Sequence, residues 1–172
     1  MRGALEKMAG ENSANGQAIR CELAAEALCV SGKLRLRVFG GSMLPSIWPG
    51  DVLLILRTPP ADIEPGDVVL YAREGGFLAH RIVKKEKDTF TTRGDSLRAD
   101  DEPVSFRQVL GKIAIIERSG VHFVPKNKLQ GPARLLSLLM RYFNPLKTLT
   151  LRLNSLRLKL GRALSNRETE TA

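Results

Sequence analysis

The chain has 172 residues, 43% of them hydrophobic and 26% charged. That length holds one domain of ordinary size with an appendage, and the composition excludes wholesale disorder, collagen-like repeats and low-complexity scaffolds. The formal net charge of +9 is uneven: Lys plus Arg against Asp plus Glu is 17 to 16 over residues 1–125 and 10 to 2 over residues 126–172, so the body is nearly neutral and the tail basic.

A bilayer-spanning helix needs about 18 or more consecutive apolar residues. The longest stretch without Asp, Glu, Lys or Arg, Val38 to Gly50, is broken by glycines, serines and prolines. Met1 to Gln17 lacks the apolar block of a secretory signal. The expectation is a cytoplasmic protein, with membrane contact, if any, peripheral.

Residues 1–16 are rich in Gly, Asn and Ser and are expected to be disordered. Ile19, Leu23, Ala27 and Val30, flanked by Cys21, Ala24 and Leu28, recur at helical spacing, and Gly32 is placed to end that helix. Cys21 and Cys29 would lie about 12 Å apart along it, too far for a disulfide, so buried free thiols are expected. No Cys or His pair has zinc-ligand spacing, and neither metal nor cofactor is expected.

At Lys33 the period changes to two, with Leu34, Leu36 and Val38 alternating against Arg35, Arg37 and Phe39. Short β-branched or apolar runs follow at Val52 to Leu56, Val68 to Ala72, Phe77 to Lys84, Thr89 to Arg93 and Gly111 to Glu117. Trp48-Pro49-Gly50-Asp51 and Glu64-Pro65-Gly66-Asp67 share one logic: proline fixes the first turn angle and glycine supplies a positive φ at the second. Residues 17–125 thus read as one mainly β domain with a leading helix.

Residues 126–172 read as a basic amphipathic tail. A short helix is expected from Ala133 to Phe143, and Pro145 separates it from the next. There Leu146, Leu149, Leu153, Leu156, Leu160 and Leu164 step by three and four, with Lys147, Arg152, Arg157, Lys159 and Arg162 mostly elsewhere on the wheel. Residues 131–164 are accordingly a candidate contact for an anionic membrane surface. Nucleic acid is disfavoured, because Tyr142 and Phe143 are the tail's only stacking residues and no reader motif accompanies them.

Three strings bear on chemistry. Gly40-Gly41-Ser42-Met43-Leu44-Pro45 puts a serine at a strand end, where a sharp turn presents hydroxyl and amide together, as a nucleophile with an oxyanion donor requires. Ala79-His80-Arg81-Ile82-Val83 holds one of only two histidines, the other being His122. Arg93-Gly94-Asp95-Ser96-Leu97-Arg98-Ala99-Asp100-Asp101 carries three carboxylates from a strand into a loop. Singly these fit a turn serine, a packed histidine and turn-capping aspartates; jointly they supply a nucleophile, a base and an orienter.

The same strings carry a family resemblance. Ser42-Met43-x-Pro45 with Pro49-Gly50-Asp51, Gly66-Asp67-Val68-Val69, His80-Arg81-Ile82, Arg93-Gly94-Asp95 through Asp100-Asp101, and Val109-Leu110-Gly111-Lys112 together resemble the signal peptidase I and LexA-type serine peptidase superfamily, over about residues 33–117. The resemblance implies a compact β-rich peptidase domain and serine-type endopeptidase activity on an extended precursor or leader segment, bound as an added β-strand.

Bacterial signal peptidases and LexA-like repressors of that superfamily use a lysine where this chain has His80. The chain is therefore similar to the archaeal and endoplasmic-reticulum type signal peptidases, whose set is Ser-His-Asp. Histidine ordinarily titrates near working pH, whereas a lysine base must be desolvated first. By this resemblance Ser42 is the nucleophile, His80 the general base, and Asp101 the orienter, with Asp95 competing for that place.

The chain departs from the superfamily at Gly40, where bacterial signal peptidases commonly carry a serine, and in the lack of a membrane-spanning segment. The competing functional readings are a catalytically inactive peptide-binding module of the same fold and a binder of membrane or nucleic acid led by its basic tail.

Overall fold

The computed structural model describes residues 19, 21–73, 76–128 and 131–142. Helix α1 covers residues 21–31. It ends at Gly32, whose φ of 69° lets its N–H return to Leu28 C=O at 2.9 Å, a left-handed helix stop. The face that α1 buries or half-buries is Cys21, Ala24, Ala25 and Leu28, leaving Ile19, Leu23 and Val30 exposed. The expectation of buried thiols is corrected at Cys29, which follows Leu28 around the wheel and is exposed.

Eight strands follow among the described residues: β1 Lys33–Arg37, β2 Val52–Leu56, β3 Val68–Arg73, β4 Gly76–Lys85, β5 Thr89–Arg93, β6 Val104–Ser105, β7 Val109–Arg118 and β8 Val121–Phe123. They form one antiparallel sheet in the order β1-β2-β7-β3-β4-β5-β6, with β8 added to β7. The mainly β expectation therefore holds. A last helix, α2, spans Gly131–Tyr142.

Two apolar clusters explain the strand patterns. Val68 and Leu70 of β3 join Leu28, Met43, Ile47, Leu53, Ile55, Ile113 and Ile116 in one. Val69 and Tyr71 join Ile63, Ile82, Phe90 and Val104 in the other. Since alternate residues face opposite sides of a strand, β3 is covered on both faces, which is why its sequence is an unbroken apolar run.

The two Pro-Gly-Asp turns close alike. Asp51 and Asp67 donate their N–H groups to Trp48 C=O and Glu64 C=O at 3.0 Å, across glycines with φ of 98° and 101°. Each aspartate also accepts from the first residue of its turn, Trp48 N–H at 2.8 Å and Glu64 N–H at 2.9 Å. Both carboxylates are buried and each meets a cation of β7: Arg118 holds Asp51 with two donors at 2.9 and 2.7 Å, and Lys112 Nζ lies 2.8 Å from Asp67. Buried carboxylates paired in this way fix the turns and tie the loop beside Ser42 to the centre of the sheet.

The short strands β6 and β8 were not anticipated, being two and three residues long. Helix α2 lies where a short helix was expected, and it is seated on the body through buried Ser137 and Met140. The expected disorder of residues 1–16 and the expected leucine helix from Leu146 to Leu164 lie outside the described residues.

Candidate active site

Ser42 stands in the loop between β1 and β2. The loop's neck is closed by Val38 N–H to Asp51 C=O and Gly50 N–H to Val38 C=O, both 2.8 Å. Met43, Leu44 and Ile47 are buried as anchors, and Trp48 Nε1 donates to Pro45 C=O at 2.8 Å. Ser42 itself is half-buried, held at the surface by an apolar root.

A second loop, after β5, clamps it from below. Ser96 N–H donates to Ser42 C=O at 2.9 Å, and Ser96 Oγ lies 3.0 Å from Gly41 C=O and 2.9 Å from Ser42 C=O. Because C=O and N–H point oppositely across a trans peptide, tethering Gly41 C=O turns Ser42 N–H away from the clamp, and no described residue accepts from that N–H. The approach demands glycine at position 94, where an added Cβ would fall 2.7 Å from Ser42 C=O and 2.9 Å from Leu97.

Strand β4 delivers His80, whose side chain is 4% exposed. His80 Nε2 is 2.9 Å from Ser42 Oγ and Nδ1 is 2.6 Å from Asp101 Oδ2. Asp101 is brought there because its N–H donates to Thr92 C=O at 2.8 Å, laying the loop back along β5. A carboxylate only accepts, so Nδ1 carries the proton and Nε2 faces the serine hydroxyl with its lone pair.

Asp101 Oδ2 takes two more donors, Thr92 Oγ1 at 2.7 Å and Tyr71 Oη at 3.1 Å. Tyr71 and Thr92 are fully buried. Burial pushes the Asp101 carboxyl upward, but the hydrogen bonds from Thr92, His80 and Tyr71, with the His80 charge, outweigh it and hold the group below the ordinary carboxylate range. The Tyr71 phenol is pushed up to about 12, first by burial, and the adjacent Asp101 adds to the rise despite a lowering hydrogen bond from Thr92. It is a permanent donor at neutral pH.

The structure brings Ser42, His80 and Asp101 together and sends Asp95 elsewhere. Residues 80 and 81 point to opposite faces of β4, and Asp95 sits with Arg81, accepting from Nε at 2.8 Å and from a second guanidinium nitrogen at 2.9 Å. Ser46 Oγ also donates to it. Arg81 further donates to Gly66 C=O at 2.7 Å and Lys126 C=O at 2.6 Å. Asp95 is thus the buried partner of a half-buried guanidinium that ties four segments together. Lys84, farther along the same strand, is exposed and paired with Glu86, which raises its pKa, the reverse of what a lysine base requires. Sequence reasoning missed Tyr71 and Thr92: Tyr71 is the one hydroxyl in the apolar run of β3, whereas Thr92 is one of three threonines in β5 and nothing in the sequence singles it out.

Among the described residues no helix is long and apolar enough to cross a membrane. No curated protein matches the chain. The peptidase S24-like family matches residues 6–128, most of the chain, and the protein belongs to that family of serine peptidases of LexA and signal peptidase type.

Proposed function

We infer that the protein is a serine endopeptidase of signal-peptidase type, cleaving an extended precursor or leader segment. The observation that carries this reading is the hydrogen-bonded series Ser42 Oγ, His80 Nε2, His80 Nδ1, Asp101 Oδ2, with links of 2.9 and 2.6 Å. Ser42 Oγ attacks the scissile carbonyl as its proton passes to His80 Nε2. Asp101, held ionised, stabilises the imidazolium that results, and His80 returns the proton to the leaving amine. The developing oxyanion is met by Ser42 N–H, turned outward by the Ser96 clamp. Water then repeats the sequence on the acyl-enzyme.

The open edge of β1 supports an extended substrate. Val38 turns its N–H and C=O inward to Asp51 and Gly50, so by the period of two the backbone groups of Arg35, Arg37 and Phe39 turn outward. Strand β1 ends the sheet order among the described residues, and a peptide pairing with that edge would run directly toward Ser42.

The reading is tested by incubating the purified chain with a mixture of defined peptides and mapping new termini by mass spectrometry. Internal cuts following small residues, absent with Ser42→Ala, are expected. No new termini beyond the Ser42→Ala background would overturn it.

A further inference from the structure

Helix α2 turns one face to the body and another to solvent. Ala133, Leu136, Ser137 and Met140 are buried or half-buried, whereas Leu135, Leu138 and Leu139 are 61, 40 and 39% exposed. Three leucines at i, i+3 and i+4 form one apolar stripe, unusual to leave in water on a helix otherwise docked. The sequence that contains it is cationic: from Lys126 to Arg162 the chain carries nine Lys and Arg and no acidic residue. A second copy of the chain, or the leucines of residues 146–164, would bring like charge to the stripe. Nucleic acid would answer the charge and leave the leucines in water. An anionic lipid surface answers both.

We propose that the outer face of α2 is a docking surface for anionic membranes, with Leu135, Leu138 and Leu139 entering the acyl boundary and the positive charge of this part of the sequence favouring anionic headgroups. The inner face joins this surface to the catalytic loop. Ser137 Oγ donates to Asp95 C=O at 2.6 Å, and the N–H of that same peptide unit, on Ser96, donates to Ser42 C=O at 2.9 Å. One peptide group therefore links the membrane-facing helix to the serine. Docking holds the site at the lipid surface, where the effective concentration of membrane-tethered peptides is raised. Only this last consequence rests on the peptidase reading; the docking itself is measured by binding.

The test is co-sedimentation of the full chain with vesicles of phosphatidylcholine alone and of phosphatidylcholine with phosphatidylserine. Binding is expected only to the phosphatidylserine vesicles and should fall as salt is raised from about 0.1 to about 1 M, where screening shortens from about 10 to 3 Å. The triple variant Leu135→Ser/Leu138→Ser/Leu139→Ser, and to a smaller degree Leu135→Ser alone, should keep the wild-type melting temperature and lose at least about tenfold in vesicle partition. Absence of wild-type binding to phosphatidylserine vesicles would overturn the proposal. So would undiminished binding by the folded triple variant, or wild-type binding to duplex DNA that is tighter than to vesicles and indifferent to the leucines.

Discussion

Removing the Tyr71 hydroxyl isolates one of the three hydrogen bonds that converge on Asp101 Oδ2. In Tyr71→Phe the ring still fills its fully buried site, and Oδ2 keeps Thr92 at 2.7 Å and His80 at 2.6 Å, so no buried acceptor is stranded. The lost bond is the longest, at 3.1 Å. A hydrogen bond to a charged group contributes about 1.5–3 kcal/mol, and its length puts this one near the lower figure. If that difference is expressed while His80 is cationic, kcat falls about tenfold with KM within about twofold. Thr92→Val removes the shorter bond and should cost more. The double variant should fall short of the product of the two, because Thr92 Oγ1 also lies 3.3 Å from Tyr71 Oη. With donors gone, Asp101 moves back up toward the usual carboxylate range. Steady-state kinetics across pH, with circular dichroism to verify folding, is the assay. Two folded single variants with kcat within twofold of wild type would refute the assignment of Tyr71 and Thr92 as positioning residues.

Further outcomes separate structural from chemical roles. Asp95→Asn breaks the pair between buried Asp95 and half-buried Arg81 and should cost about 3 kcal/mol of stability, the lower end of the range for a fully buried pair, a melting shift on the order of 10 °C for a chain of this size. Asp101→Asn should instead lower kcat by as much as about 10⁴ with a smaller melting shift, so the two aspartates differ in which measurement they move. Gly94→Ala drives a methyl against Ser42 C=O and should lower kcat by on the order of 10²-fold through displacement of the serine. Because the folded Tyr71 pKa is raised to about 12, above the usual value of about 10, its contribution is present below pH about 10 and lost as pH rises toward 12. Alkaline melting should accordingly be shallower in Tyr71→Phe over that window.

How much of this was legible in the sequence follows from the physics of each element. Strands β2 to β5 and β7 announce themselves by apolar runs between Pro-Gly-Asp and Gly-Asp signals, and the turns follow from proline and glycine dihedrals. Strands β6 and β8 carry no periodicity because they are too short to have any. Ser42 was legible after its glycine pair at a strand end and His80 as one of only two histidines, whereas Asp101 was favoured over Asp95 only through the family resemblance. The pairing of Asp95 was not legible, since it depends on which side of β4 Arg81 faces and on the return of Lys126 to that guanidinium. Ser137 is the least readable residue: in a leucine-rich helix the leucines are the expected buried face, yet a serine is buried there because Asp95 C=O takes a donor from it.

The central claim, that Ser42 acts through His80, is tested most directly by chemical rescue. Peptide cleavage is measured for wild type, Ser42→Ala and His80→Ala, each with increasing imidazole, which can re-enter the space left by the ring. The account predicts that both variants are folded and inactive, and that imidazole restores cleavage to His80→Ala in proportion to its concentration while leaving Ser42→Ala inactive. Wild-type activity in either variant without imidazole would contradict it.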